Sequence, residues 1–240
     1  MLYAPECGPC VKRQVREAIE LVEAKGSLAV RIMQTTEELF ARQHEFADGL
    51  EFAAAIHNVI ATMAGADDVY EELKDASTRL ALSLYPKVKK AVQEQDNPLV
   101  AALKVAAAGN IVDAGALGLD IPIAEAVEAA LAEPFGRDDS ARLIEELTAA
   151  KSILVIGDNA GETVFDRLLL EVIYEQLGEK AVYYAVKSAP IVNDATAEDA
   201  IVAGLNKVAT VFDLGAALPG MVFNRTSLKF QQRFVETDVV

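Results

Sequence analysis

The chain has 240 residues, of which 52% are hydrophobic and 25% are charged, and this composition indicates a folded globular protein rather than a disordered one. Its 37 acidic residues against 22 lysines and arginines give a formal net charge of −15, which argues against a nucleic-acid partner. No stretch approaches the ~18 uncharged apolar residues of a membrane span, and the N-terminus lacks the apolar core of a signal peptide. We therefore expect a cytoplasmic protein with no membrane partner.

The string CGPC near the N-terminus contains both cysteines of the chain, Cys7 and Cys10. A thiol–disulfide centre needs a strand before the motif and a helix after it, and too few residues precede Cys7. A zinc site needs about four ligands, and the histidines are His44 and His57. We interpret the string as a structural feature that opens the first helix, and a metal-linked homodimer stays open as an alternative.

The chain as far as residue 150 is predicted to be helical. Apolar residues recur with helical spacing over 11–25 and stop at Gly26, and Thr35 with Glu38 resembles a capping box that opens a second helix. Further helices are predicted over 51–63, over 69–90 with a kink or break at Pro86, and from 97 to 115. We expect no strand in this part.

Strands and helices alternate after residue 140. Helices are predicted over 140–150, 163–177 and 197–205, and apolar strands over 152–157, 181–186 and 208–214. This alternation indicates a parallel sheet, and uniformly apolar strands favour helices on both faces. The sequence therefore predicts an α/β protein with a helical region over 1–139 and a doubly wound α/β domain over 140–240.

Polar side chains follow each of the three predicted strands. Asp158 and Asn159, with Glu162 after them, follow the first strand, Asn193 and Asp194 follow the second, and Asp213 ends the third. Ligands of open α/β sheets bind at this edge. Taken singly, each strand end is explained by helix capping. Taken together, the carboxylates would repel one another unless a cation joined them, and oxygen ligands suit Mg²⁺ or Mn²⁺.

Phosphate is the anion that such an edge would accept. Helix N-termini beside glycines, as at Gly161, offer backbone N–H groups to phosphate. Lys187 follows the second strand, where it would either neutralise a phosphate or lie solvated in a loop. The dinucleotide fingerprint, the P-loop and the G-x-S-x-G elbow are absent from the sequence.

Five strings in the chain resemble the DUF89 family, also called damage-control phosphatases, in its CxxC-containing group from archaea and bacteria. They are CGPCVKRQ at 7–14, DDVYEELK at 67–74, AAAGNIVDAG at 106–115, GDNAGETVFD at 157–166 and KSAPIVNDAT at 187–196. They occur in the family's order over nearly the whole chain, and the last two are the specific ones.

The resemblance implies a helical N-terminal region on a Rossmann-like, three-layer α/β domain. It also implies a divalent-metal-dependent phosphomonoester hydrolase that acts on small phosphate esters, either sugar phosphates or damaged and side-product phosphometabolites. The family's metal ligands match Asp158, Asn159 and Asp194, and the metal would be Mg²⁺, Mn²⁺, Co²⁺ or Ni²⁺. Asn110 and Asp113 would bring the helical region to the active-site edge.

Our mechanistic hypothesis gives roles to the other polar residues of that edge. Glu162 or Asp194 would activate the attacking water, Lys187 and the N–H groups near Gly161 would bind the phosphate, and Asn193 and Asp213 would contact the substrate. One departure concerns the C-terminus, since the family continues past the third strand with a phosphate-facing lysine motif, which would begin where this sequence ends at Val240. Either this member lacks the lysine or the sequence stops short of it, and we expect the latter, because residues 238–240 resemble the start of a fourth strand.

Two other functions stay open from the sequence. A sheet with acids at its strand ends also holds S-adenosylmethionine in methyltransferases, although the expected glycine-rich loop does not follow the first strand. A noncatalytic metal- or nucleotide-binding module is the second alternative, because a member without the phosphate lysine would bind metal without turnover.

Overall fold

The computed structural model describes residues 7–47, 49–109 and 123–213 of the chain. The helices of these ranges are α1 Cys7–Leu21, α2 Ser27–Ala41, α3 Gly49–Ala64, α4 Glu71–Gln93, α5 Pro98–Ala107, α6 Ile123–Ala132, α7 Ser140–Ala149, α8 Thr163–Leu177 and α9 Ala197–Val202. Short 3-10 turns lie at Gln43–Glu45 and Leu205–Lys207, and the strands are β1 Ser152–Ile156, β2 Ala181–Val186 and β3 Thr210–Asp213. The described part of the chain is mostly helical with a three-stranded parallel sheet, which confirms the predicted α/β class.

The three strands run parallel in the order β1-β2-β3. Ile156 at the end of β1 pairs with Ala185, and Val186 at the end of β2 pairs with Asp213 at the end of β3. This register brings the three carboxyl ends to one edge of the sheet, so the loops that follow β1 and β2 start beside each other.

The described residues group into two compact units. The first comprises residues 7–71, apart from residue 48, with 187–192, and the second comprises 72–109, 123–186 and 193–213. Residue 139, where the sequence places the boundary between the helical region and the α/β domain, lies inside the second unit. The reason is that α4 and α5 share one hydrophobic core with α8 and β2.

The first unit is built on α1, α2 and α3. The apolar residues that α1 buries follow helical spacing, and so do those of α3; they are Val11, Val15 and Ala18 in α1 and Phe52, Ile56 and Ile60 in α3. The ring of Phe52 packs edge-on against Phe40 and Phe46, with ring centroids 5.0 and 5.4 Å apart. One continuous apolar face per helix therefore holds this unit together.

The capping box predicted at Thr35 and Glu38 is wrong. Helix α2 begins eight residues earlier, at Ser27, so both residues lie in its interior. The Thr36 hydroxyl donates to the carbonyl of Met33, one turn back, at 3.0 Å. Threonine can also make this bond inside a helix, and Gly26 with a φ of 57° precedes the true start.

The core of the second unit contains the largest buried side chains of the sheet and of α8. Tyr184, Phe165, Leu168 and Leu170 have at most 1% of their surface exposed, and Leu99 of α5 packs with them. Helix α4 continues through Pro86 without a break. Helix α9 ends at Val202, short of the predicted Leu205, because Gly204 takes a φ of 85° and turns the chain.

Lys74 of α4 and Asp199 of α9 form a buried ion pair. The Lys74 ammonium lies 2.8 Å from Asp199 Oδ2, and the two side chains are 5% and 13% exposed. The same oxygen accepts from the backbone N–H and from the hydroxyl of Thr196, at 2.8 and 2.7 Å. Asp199 therefore ties the start of α9 to α4.

No helix in the described ranges is both long enough and apolar enough to cross a membrane.

We expect Lys74→Met to lower the free energy of unfolding by about 3 kcal/mol, because it leaves the Asp199 carboxylate buried without its counterion. Urea unfolding at neutral pH measures the effect. The matched control is Arg79→Ala, since Arg79 pairs with Asp75 in the same helix but both side chains are more than half exposed; it should cost less than about 1 kcal/mol. Equal losses in both variants would contradict the assignment.

Candidate functional site

The loops after β1 and β2 run side by side as a short antiparallel bridge between Asn159 and Asp194. Ala160 N–H donates to the Asn193 carbonyl at 2.9 Å, and Ala195 N–H donates to the Asp158 carbonyl at 2.7 Å. The acid and amide residues predicted at two separate strand ends are thereby brought together. We call the segments 158–162 and 193–195 the paired loops.

The polar side chains of the paired loops differ in burial. Asp194 is 4% exposed and Asn159 is 9% exposed, whereas Asp158 is an exposed residue. The Asn159 amide nitrogen donates to Glu162 Oε1 at 2.8 Å, which directs the amide oxygen away from Glu162. Two carboxylates and an amide oxygen then make a hard-oxygen donor set, which fits Mg²⁺ or Mn²⁺.

A metal site that includes an amide ligand does not appear as a cluster of acidic, histidine or cysteine side chains. Among the described residues, no group of three or more His, Cys, Asp or Glu side chains is placed to hold a metal ion. The candidate set of Asp158, Asn159 and Asp194 has only two carboxylates and completes itself with the amide of Asn159. The evidence for this candidate site is therefore the pairing of the two loops and not a cluster of acidic side chains.

Helix capping does not explain these residues. The N-cap of α8 is Glu162 and that of α9 is Thr196, so neither Asp158 and Asn159 nor Asn193 and Asp194 occupies a cap position. The Glu162 side chain does not close a capping box, and its carboxylate accepts from the Asn159 side chain. At the N-cap of α8 its carboxylate also complements the positive end of the helix dipole.

The paired loops rest on a packed tyrosine. A Cβ added to Gly157 would lie 2.5 to 2.8 Å from the ring and hydroxyl atoms of Tyr184, so any larger residue here would force the tyrosine or the backbone to shift. The Tyr184 side chain is fully buried, and its hydroxyl donates to Asp166 Oδ2 at 2.5 Å. The Tyr184 side chain is therefore held by the backbone of Gly157 against its ring and by the hydrogen bond from its hydroxyl to Asp166.

Asp166 and Tyr184 form a buried acidic pair behind the loops. Burial raises the pKa of the Asp166 carboxyl to about 6; the hydrogen bond from Tyr184 opposes this shift and the charge of Asp158 adds to it. Burial also raises the pKa of the Tyr184 hydroxyl far above its ordinary value, with the negative charge of Asp166 as the next cause. The tyrosine therefore stays protonated as the donor.

The other predicted site residues are placed as follows. Gly161 is buried just before α8. The Asn193 carbonyl accepts one of the two hydrogen bonds between the paired loops, and Asp213 is exposed at the end of β3. Lys187 directly follows β2 and is 7% exposed, so the alternative of a solvated loop lysine is wrong.

The remaining two, Asn110 and Asp113, lie outside the described residues. The residue before them, Gly109, lies against Glu162, since a Cβ on Gly109 would be 3.3 Å from Glu162 Cγ and 3.4 Å from its Cα. The end of α5 therefore reaches the start of α8 at the paired loops.

One feature of the site had no signal in the sequence. Val192, directly before Asn193, has a φ of 46°. A β-branched residue in the left-handed region is a true backbone outlier, which costs of order 1–3 kcal/mol and is typical of functional loops. The chain holds this strain one residue before the paired loops begin.

Comparisons with known proteins agree over nearly the whole chain. The family model described as "Damage-control phosphatase ARMT1-like domain" matches residues 3–240. A damage-control phosphatase from Pyrococcus horikoshii is 32% identical over 236 residues, covering 98% of this chain and 81% of its own length. A damage-control phosphatase from Archaeoglobus fulgidus is 26% identical over 245 residues, covering 100% of this chain and 84% of its own.

The structural comparison gives the same result. The crystal structure of a DUF89 family protein from Pyrococcus horikoshii superposes with a TM-score of 0.83 at 30% sequence identity, covering 99% of this chain and 82% of that one. An uncharacterized protein from Methanocaldococcus jannaschii is 32% identical over 241 residues, which are 98% of this chain and 79% of its own.

We expect Gly157→Ala to lower the free energy of unfolding by about 1–3 kcal/mol, because the added methyl group collides with a tyrosine ring that cannot move away. Gly136→Ala is the matched control, since its added Cβ meets nothing within 4 Å. Chemical denaturation of both variants measures the difference. A Gly157→Ala protein as stable as the control would show that the ring yields.

We expect Asp166→Asn to change how stability depends on pH. The folded-state pKa of about 6 lies above the unfolded value of 3.8; the folded protein therefore binds more protons in this window, and Asp166 lowers stability as pH rises through it. Relative to Asp166→Asn, the wild type should lose up to about 3 kcal/mol between about pH 4 and pH 6. Urea unfolding across that range tests it, and parallel pH profiles of the two proteins would refute it.

Proposed function

The chain belongs to the damage-control phosphatase ARMT1-like (DUF89) family, and from this premise we propose that it is a divalent-metal-dependent phosphomonoester hydrolase. Its proposed substrates are small phosphate esters, either sugar phosphates or damaged and side-product phosphometabolites. The observation that carries the proposal is the pairing of the two loops, which places Asp158, Asn159 and Asp194 on adjoining backbone segments.

The proposed metal ligands are Asp158, Asn159 and Asp194. A bound divalent cation, Mg²⁺, Mn²⁺, Co²⁺ or Ni²⁺, supplies Lewis-acid polarisation of the phosphoryl oxygens. The chain's part is to hold the oxygen donors in place before binding. The bridge hydrogen bonds fix the backbone of both loops, and the bond from the Asn159 amide to Glu162 fixes which way the amide faces.

Phosphate binding is proposed at the start of α8. Helix α8 has 15 residues, and Gly161 precedes it in a buried turn, so the first N–H groups of the helix point toward its N-terminal end. Such N–H groups bind phosphate oxygens, and the helix dipole favours the anion. Lys187, directly after β2, is proposed to supply the compensating positive charge.

Glu162 is proposed as the proton acceptor for the attacking water. Its Oε1 accepts from Asn159, which leaves the carboxylate oriented by a neighbour that belongs to the metal-ligand set. Asp194 is the other candidate for this role, although its burial suits metal coordination better. Asn193, Asp213, Asn110 and Asp113 are proposed to contact the substrate.

The alternatives from the sequence have unequal support. Nothing in the geometry of the paired loops favours S-adenosylmethionine binding, and the family relationship points to phosphatases. A noncatalytic metal-binding module differs from the enzyme in one outcome only, which is metal binding without turnover. The experiment below separates the two.

We expect metal-free protein to regain hydrolysis of p-nitrophenyl phosphate and of a sugar-phosphate panel when Mg²⁺, Mn²⁺, Co²⁺ or Ni²⁺ is added back. Asp158→Asn and Asp194→Asn should each lose at least about 100-fold in kcat/KM, because several kcal/mol of charge stabilisation depend on the bound cation. Steady-state kinetics with each metal measure this loss.

The control is Asp75→Asn, which makes the same change of charge on an exposed carboxylate of α4 and should keep wild-type turnover. Wild-type turnover in either site variant would refute the metal-ligand assignment. Calorimetric metal binding that Asp158→Asn abolishes, in a protein without hydrolysis of any ester, would instead favour the binding module.

A further inference from the structure

The first unit contains a cavity that the proposed phosphatase chemistry does not use. Its volume is about 640 Å³, within the range of pockets that hold small molecules. One wall comes from the end of α3 and the turn before α4, including His57, Asp68 and Tyr70, and the other comes from residues 189–192.

Two buried polar side chains line this cavity. His57 and Tyr70 are each 5% exposed, and their rings meet edge-on with centroids 5.6 Å apart. Among the described residues, neither the Nδ1 atom of His57 nor the hydroxyl of Tyr70 has a hydrogen-bond partner. Buried polar groups are rarely left in this state, because each loses its hydration without compensation. The cavity therefore presents two groups suited to a bound molecule.

The protonation of these groups defines what they would bind. Burial lowers the pKa of His57 to about 4, so the ring is neutral at physiological pH. Burial also raises the pKa of Tyr70, so its hydroxyl keeps its proton. His57 Nε2 lies 3.3 Å from the side-chain oxygen of Gln14; with the proton on Nε2, Nδ1 is an acceptor. An O–H donor satisfies Nδ1, and a hydroxyl also suits Tyr70.

The charged groups of the cavity exclude anions. Asp67 and Asp68 line it, and the lining residues that belong to the described part of the chain include no lysine or arginine. The backbone N–H of Tyr70 donates to Asp68 at 2.8 Å, so this carboxylate is held at the wall, while Asp67 is exposed. Carboxylates accept from hydroxyl groups but repel phosphate, so the ligand is not an anion, and hydroxyl groups suit the carboxylates as well as His57 and Tyr70.

We infer that this cavity binds a neutral, hydroxyl-rich small molecule of the sugar or polyol class, with His57 and Tyr70 as its buried hydrogen-bonding residues. The wall formed by 189–192 continues directly into Asn193 and Asp194, so an occupant touches the segment that leads into the paired loops. The inference does not depend on the phosphatase proposal, since it concerns binding by metal-free protein.

The test is calorimetric titration of the metal-free protein with glucose, ribose and sorbitol, with ligand-observed NMR for weak binding. We expect at least one of these compounds to bind, and inorganic phosphate not to displace it. Tyr70→Phe should weaken that binding about tenfold and leave thermal stability unchanged, because the lost hydroxyl has no partner in the described chain. His57→Phe, which removes both ring nitrogens, should weaken binding by at least as much.

Tyr174→Phe is the matched control, because the Tyr174 hydroxyl donates to the Val208 carbonyl at 2.5 Å in the second unit. It should lower stability and leave sugar affinity unchanged, the reverse of Tyr70→Phe. The inference is overturned if none of the three compounds binds, if they bind Tyr70→Phe and His57→Phe as tightly as wild type, or if phosphate competes. A protein that binds sugar but hydrolyses no ester would refute the phosphatase proposal alone.

Discussion

Two backbone hydrogen bonds hold the paired loops together, and the candidate site depends on them. The bonds join Ala160 to Asn193 and Ala195 to Asp158, at 2.9 and 2.7 Å, beyond the ends of β1 and β2. They hold Asp158 and Asp194 on adjoining backbone segments although the two side chains carry like charge, which disfavours the pairing. The backbone hydrogen bonds therefore stabilise the loop pairing against the repulsion of the two carboxylates. A cation bound between the carboxylates would remove that repulsion.

The layer below the loops explains why this arrangement is rigid. Gly157 passes over the Tyr184 ring, and the Tyr184 hydroxyl is bound to Asp166 in the first turn of α8. Strand β2 and helix α8 thus meet directly behind the site, in the same core that buries Phe165 and Leu168. A buried acid with a raised pKa is costly, and the protein keeps it where it anchors the tyrosine below the glycine.

The sequence predicted the part of the site that follows from strand topology. Parallel strands bring their carboxyl ends to one edge, so Asp158, Asn159 and Asp194 could be grouped before the structure was known. Thr35 and Glu38 misled because a capping-box pattern also occurs inside helices. The ion pair of Lys74 and Asp199 joins residues 125 positions apart in the sequence. Valine rarely has a positive φ, so nothing in the sequence indicated one at Val192. Both features depend on tertiary contacts that local sequence patterns do not encode.

Val192 marks a change of chemistry along the chain. Residues 189–192 line a cavity whose buried groups, His57 and Tyr70, are neutral, whereas Asn193 and Asp194, directly after it, belong to the oxygen-rich paired loops. A strained residue at this junction is easier to account for if its position is set from both sides, by the cavity wall before it and by the bridge after it. A strained backbone residue persists only where its surroundings fix its conformation in this way.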